Sequence, residues 1–194
     1  THPTEPLGII GLATHRAALA RAQALAMRVG FPRLLVADGG HHSGLRLRDY
    51  GGFASPGGNK TALLVECGGW WEKRSAEHAI EITLRLLFTL GLVGTDALAG
   101  RLRADTKRPM RLIETVETVT ARTDSFAFVR RFRGDEIIAR AGTVIAHDGG
   151  RPVKTPVDDC FLMFPDGNPR PGLTAVRLGR VHTLEPADAK NAAD

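Results

Sequence analysis

The chain has 194 residues, 43% of them hydrophobic and 24% charged, a balance that belongs to a folded globular protein and excludes a disordered one. Its longest apolar stretch, LRLLFTLGLVG at 84–94, falls well short of the ~20 residues that cross a bilayer, and the opening THPTEPLGII lacks the basic start and cleavage site of a secretory signal. A net charge of +5 raises nucleic acid as a partner, but the arginines are scattered among acids with little aromatic interleaving, so the charge reads as a solvated surface around a site for anionic small molecules.

No membrane and no nucleic-acid partner is therefore expected. The two cysteines, Cys67 and Cys160, form no C-x-x-C pair and are expected as small buried side chains of a cytoplasmic protein.

THRAALARAQALAMRVGFP predicts a helix capped by Thr14, with Leu19, Ala22, Ala26 and Val29 on one face and Gly30 and Pro32 at its end. RLLVADGGHHSG predicts a strand over 34–37 that runs into a loop carrying Asp38, His41 and His42. LRLRDYGGFASPGGN, rich in Gly, Pro and Ser, predicts a long irregular loop. TALLVECGGWW predicts a fully buried strand over 61–65 that finishes on an acid, Glu66. EKRSAEHAIEITLRLLFTLG predicts an amphipathic helix covering a sheet with Ile80, Leu84, Leu87 and Leu90, stopped at Gly91. Strand, loop, strand and helix in this order give an α/β fold with a parallel or mixed sheet.

Beyond residue 106 the character changes. RLIETVETVTA, SFAFVRRF, EIIA, GTVIAHD, CFLMF and TAVRLGR predict an all-β domain without helix, with Phe126, Phe128, Arg130 and Phe132 on one face of their segment. The chain thus divides into an α/β part over 1–106, a β domain over 107–184 and a frayed polar tail over 185–194.

Residues at the carboxyl ends of strands in open α/β sheets have a prior claim to chemistry, and both predicted strands end on acids, Asp38 and Glu66. Glu66 is either a general base whose pKa burial adjusts or a carboxylate paired with an arginine for structural reasons. His41 and His42 are adjacent, and no H-x-x-E or H-E-x-x-H spacing occurs, so no complete metal site is expected within the chain. His78 reads as a surface or interface residue. Arg46, Arg48 and Tyr50 place two guanidinium forks and a phenol in one loop, suited to a carboxylate ligand or simply solvated.

TEPLGIIG, VADGGHHSGLRLRDYGGF, ALLVECGGWWEKRS and GTVIAHDGGRPVKTPVDDC, in that order, resemble the downstream portion of the succinylglutamate desuccinylase/aspartoacylase family, from about Thr4 to Arg180. The resemblance implies part of a carboxypeptidase-like mixed sheet with flanking helices, followed by a small all-β domain similar to a lipoyl half-barrel. It implies a zinc-dependent amidohydrolase of N-acyl amino acids or related small amides. Glu66 would be its general base and acid, and His41, Arg48 and Tyr50 would line the substrate side together with Arg46 of the same loop. The Asp-Lys setting of a lipoyl attachment turn is missing, so no modification of Lys154 is expected.

The sequence departs from the family in one respect: the H-x-x-E pair and later histidine that bind zinc are not found. The expectation is that zinc, implied by the resemblance, has its ligands in an upstream segment and that this chain alone is inactive. The alternative is a metal-free, non-catalytic module that binds carboxylated small molecules or a partner chain. Self-association into a homo-oligomer is compatible with both.

Overall fold

LGIIG, a run with two glycines in five residues, turns out to be the centre of the α/β part. In the computed structural model, which describes residues 7–11, 16–38, 48, 50–102 and 109–184, this run forms strand β1 (Leu7–Gly11). It pairs in parallel with β2 (Leu34–Asp38), Leu7 opposite Leu34 and Gly11 opposite Asp38. On its other side it pairs antiparallel with β3 (Leu64–Glu66), Glu66 opposite Leu7 and Leu64 opposite Ile9. Leu35 and Val36 of β2 are fully buried, as a continuous apolar run in a covered sheet should be.

β3 corrects the expectation of a fully buried strand. It has three residues, all half-buried, and is outermost in the order β3-β1-β2-β4. An edge position explains both its shortness and its partial exposure.

Helix α1 (Arg16–Val29) buries Ala18, Ala22, Ala24, Ala26 and Val29. Small side chains let its backbone approach the sheet closely, and Ala22 and Ala26 share a core with Leu35, Ala37, Met110 and Leu184. Gly30 ends it in the left-handed conformation (φ 72°), its N–H donating to the Ala26 carbonyl at 2.9 Å. The expected Thr14 cap lies outside the described residues.

Helix α2 (Lys73–Thr89) exists where expected but turns a different side inward. Its buried residues are Ser75, Glu81 and Ile82, while Ile80 and Leu90 of the predicted face are exposed. Its packing partners are α1 and a 3₁₀ turn at Thr95–Leu98, and Arg28 of α1 reaches the Thr89 carbonyl at 3.1 Å. Of the face read from the sequence, Leu84 and Leu87 are half-buried, so the helix uses it only in part.

The chain divides into two compact units, one containing Pro6–Leu112 and Thr183–Leu184, the other Ile113–His182. The division falls inside two long strands, β4 (Met110–Thr120) and β10 (Thr174–Leu184). The second unit holds no helix among the described residues. Besides β4 and β10 it contains β5 (Ala127–Phe128), β6 (Ile137–Ile138), β7 (Val144–Asp148), β8 (Arg151–Lys154) and β9 (Cys160–Met163). They form one sheet of order β4-β10-β9-β6 and another of order β5-β7-β8. Val119, Ala121, Phe126, Phe132, Ile145, Ala146, Cys160, Leu162, Ala175, Val176 and Leu178 make a continuous core.

Two glycine positions set local geometry in this unit. A Cβ on Gly179 would lie 2.5 Å from Ile113 Cγ2 and 2.8 Å from the Glu114 carbonyl oxygen, so only glycine lets β10 lie this close to β4. Gly149 and Gly150, both at positive φ, close the β7–β8 hairpin. Asp148, just before them, accepts from the Arg122 and Thr123 backbone N–H groups at 2.8 and 3.0 Å and from the Thr123 hydroxyl at 2.7 Å. These bonds, the Thr123 hydroxyl foremost, hold its carboxyl below the ordinary aspartate value. No helix among the described residues is long and apolar enough to cross a membrane.

Candidate functional site

The segment Glu66–Ser75 is a strand end, a two-glycine turn and the first turn of a helix. Glu66 is the last residue of β3 and is half-buried. Cys67 follows; burial, and secondarily the negative charge of Glu66, push its thiol pKa up. The Cys160 thiol is pushed up to about 11, chiefly by burial. Both thiols are protonated at neutral pH; Cys160 is buried as expected, whereas Cys67 is only half-buried.

Gly68 carries φ 113°, and a Cβ there would lie 2.6 Å from Ser75 Oγ. That hydroxyl can rotate away, so it is the positive φ that chiefly favours glycine here. At Gly69 a Cβ would meet the Trp71 ring at 2.8 Å. The Glu72 N–H then donates to the Gly69 carbonyl and the Ser75 N–H to the Glu72 carbonyl, both at 3.0 Å.

One helical turn further, His78 Nδ1 lies 3.2 Å from the Cys67 carbonyl oxygen. A carbonyl only accepts, so Nδ1 carries the proton in this contact. The ring also stands edge-on to Phe31, centroids 5.6 Å apart. His78, expected as a surface or interface residue, is half-buried and ties the second turn of α2 to the residue next to Glu66.

Asp38 and Glu66 do not form one constellation. β2 runs parallel to β1 and β3 antiparallel, so Asp38 pairs with the last residue of β1 and Glu66 with the first. At ~3.3 Å per residue the two positions lie about 13 Å apart along the strand direction. The shared strand-end argument therefore fails for the pair.

In the preceding loop, His41 and Arg46 lie outside the described residues. Arg48 is buried, whereas Tyr50 is exposed and opens a 3₁₀ turn at Gly51–Phe53. The following stretch is pinned to α1: Arg21 donates from Nη2 to the Ser55 carbonyl at 2.8 Å and from Nη1 to the Pro56 carbonyl at 2.9 Å.

Arg74, Glu77, His78, Glu81 and Arg101 line an open cleft of about 440 Å³ along α2. Glu66 is not among its lining residues. Glu81 is only 2% exposed and is ion-paired with Arg85 at 2.9 Å. The sequence reading missed this buried pair, although its i, i+4 acid–base spacing is the available signal.

In the β unit, the expected ring face is present. Phe126, Phe128 and Phe132 stack edge to face at 5.2 and 5.8 Å, and Arg130 lies over Phe132 at 4.1 Å while bonding Glu136 at 2.6 Å. Among the described residues, no group of three or more His, Cys, Asp and Glu side chains is placed to hold a metal ion.

Compared by sequence, the chain matches no protein-family profile and no curated protein. Compared by structure, it resembles succinylglutamate desuccinylase from Vibrio parahaemolyticus at 17% identity and TM-score 0.60, over 95% of this chain and 51% of that one. It also resembles succinylglutamate desuccinylase/aspartoacylase from Rhodobacter sphaeroides at 15% identity and TM-score 0.59, over 93% of this chain and 54% of that one. A third likeness is to the product-bound ectoine utilization protein EutE from Ruegeria pomeroyi, at 16% identity and TM-score 0.55, over 90% and 53%. At such identities the likeness is one of fold, and the chain spans about half the length of each of these structures.

Proposed function

We propose that this chain is the part of a hydrolytic deacylase of N-acyl amino acids or related small amides that carries the proton-transfer residue. The observation behind this reading is Glu66, a half-buried carboxylate on a strand end whose following turn is fixed by Gly68, Ser75 and His78. A carboxylate so mounted is aimed by backbone rather than by a flexible loop. Its role would be to take a proton from the attacking water and to deliver it to the departing amine nitrogen. The likeness in fold to a succinylglutamate desuccinylase and to a succinylglutamate desuccinylase/aspartoacylase supports the reaction class.

His41, Arg46, Arg48 and Tyr50 are proposed to hold the substrate carboxylate. Zinc, in this reading, belongs to polypeptide outside these residues, and the work assigned to this chain is proton transfer and substrate orientation. A carboxypeptidase-like sheet followed by a half-barrel β domain over 107–184, in a cytoplasmic protein, completes the proposal.

The test is Glu66→Gln in the natural polypeptide, assayed on N-acetyl and N-succinyl amino acids. Turnover is expected to fall roughly 10²–10⁴-fold with Tm unchanged. Near-native turnover would remove Glu66 from the mechanism. The second reading is a metal-free, non-catalytic module that binds carboxylated small molecules or a partner chain. Saturable binding of N-acyl amino acids without any hydrolysis in the presence of zinc would select it.

A further inference from the structure

A larger cleft, of about 1140 Å³, lies wholly within the β unit, and its size suits a small molecule. Phe126, Phe128 and Phe132 line one wall, with Arg130 among them at the same two-residue spacing. The Arg130 guanidinium carbon stands over the Phe132 ring, 4.1 Å from its centroid. Its edges are held as well: Nη2 donates to the Glu136 carboxylate at 2.6 Å and Nη1 to the Arg131 carbonyl at 3.2 Å. Glu136 also accepts from the Arg133 N–H, which ties the segment around this group. With one face on a ring, two edges bonded and 53% of the side chain exposed, Arg130 presents a fixed cationic plane to the cleft.

Arg131 and Arg133, both exposed, bring two further positive charges to the lining, against the carboxylates of Asp124 and Asp166. Asp166 is already engaged: its Oδ1 accepts from the Asn168 N–H at 3.0 Å, and its own N–H donates to the Ala175 carbonyl at 2.8 Å. The facing wall at 165–169 is thereby pinned too. Such a cleft asks for a flat π surface to lie on the Arg130 plane and a negative group to meet the remaining guanidiniums. An added strand fits poorly, because β5 on this wall has only two residues to pair with.

We propose that this cleft binds a small molecule made of a planar π ring and a carboxylate or phosphate, the ring laid on Arg130 above Phe132 and the anion held by Arg131 and Arg133. The site does not rest on the deacylase reading, and its test reads no hydrolysis.

The experiment is isothermal titration calorimetry on the polypeptide as its own cell produces it. Phenylacetate and adenosine monophosphate are the probes; acetate, inorganic phosphate and adenosine are the controls. Saturable binding of a probe with Kd below about 1 mM is expected, with the controls weaker by about tenfold or more. Which probe binds more tightly distinguishes a carboxylate ligand from a phosphate one. Arg131→Glu combined with Arg133→Glu, at two exposed positions, should weaken binding by about tenfold or more and move Tm by no more than about 2 °C. Arg130→Lys keeps the charge but loses the plane, and should weaken binding several-fold.

No saturable binding of either probe up to about 10 mM would overturn the proposal. Unchanged affinity in either variant would do the same, as would controls that bind as tightly as the probes. A single-stranded oligonucleotide bound far more tightly than the mononucleotide would also overturn it, by making nucleic acid the occupant.

Discussion

The two units of this chain handle their apolar residues in opposite ways. The β unit gathers eleven buried residues, among them Phe126, Phe132, Ile145 and Leu162, into one core. What it leaves exposed is scattered: Val116, Val129, Ile137 and Leu173. Among the described residues of the α/β unit, Ala22, Ala26 and Ala37 share a core cluster with Leu35, Met110 and Leu184, and Phe31, Leu34 and Val36 are buried as well, while Trp70, Trp71, Ile80, Phe88, Leu90 and Leu92 are exposed. Burial is worth ~25 cal/mol per Å² of apolar surface, so an alanine-lined core contributes little per residue, while large side chains left outside contribute nothing until something covers them. Among the described residues, one unit buries most of its large apolar side chains and the other leaves several of them exposed.

The contrast can be broken most forcefully from the β side. Leu162, fully buried on β9, should cost about 2–5 kcal/mol when replaced by alanine, read by chemical denaturation. A cost below about 1 kcal/mol would mean that the β core is as loose as the α/β one.

Gly68→Ala tests the rigid turn of the α/β unit. A positive φ and the approach to Ser75 Oγ together should cost roughly 1–3 kcal/mol. Adding Ser75→Ala should recover part of the loss in Tm, because it removes the close atom but not the backbone strain. Full recovery would show that φ contributes nothing.

The smallest expected effect concerns Asp148. Its folded pKa is lowered, so its stabilisation is present above the unfolded value of about 3.9 and is lost as pH falls through the folded pKa. Melting curves taken downward from about pH 5 should show Tm falling more steeply for the native protein than for Asp148→Asn, which starts lower. Parallel curves would remove Asp148 as a titrating clasp of the β unit.

What the sequence disclosed follows from where periodicity speaks. Strands β4, β7, β9 and β10 were legible because β-branched and aromatic residues alternate between turn residues. β8 was not, since Pro152 argues against a strand; it is tolerated because β8 is an edge. β1 was hidden by its two glycines, although it is the strand that fixes the directions of β2 and β3 and so separates Asp38 from Glu66. The second helix was legible as a helix but not in its orientation. Apolar residues on more than one side give a periodicity argument more than one answer, and only the contact with α1 selects between them. At the site, Glu66 was visible as an acid ending an apolar run. His78 was not, because a ring nitrogen on the Cys67 carbonyl is a relation in space with no spacing rule behind it.

The mount of Glu66 is closed over a very short span. Strand end, glycine turn and helix start are held by the Glu72 N–H on the Gly69 carbonyl, the Ser75 N–H on the Glu72 carbonyl and His78 on the Cys67 carbonyl, all between Glu66 and His78. A device so local is portable: much of its geometry is carried by contiguous sequence, so it can be grafted as one cassette onto another strand edge followed by a helix, provided the host imitates the pairing of Glu66 with Leu7 and the contact of His78 with Phe31.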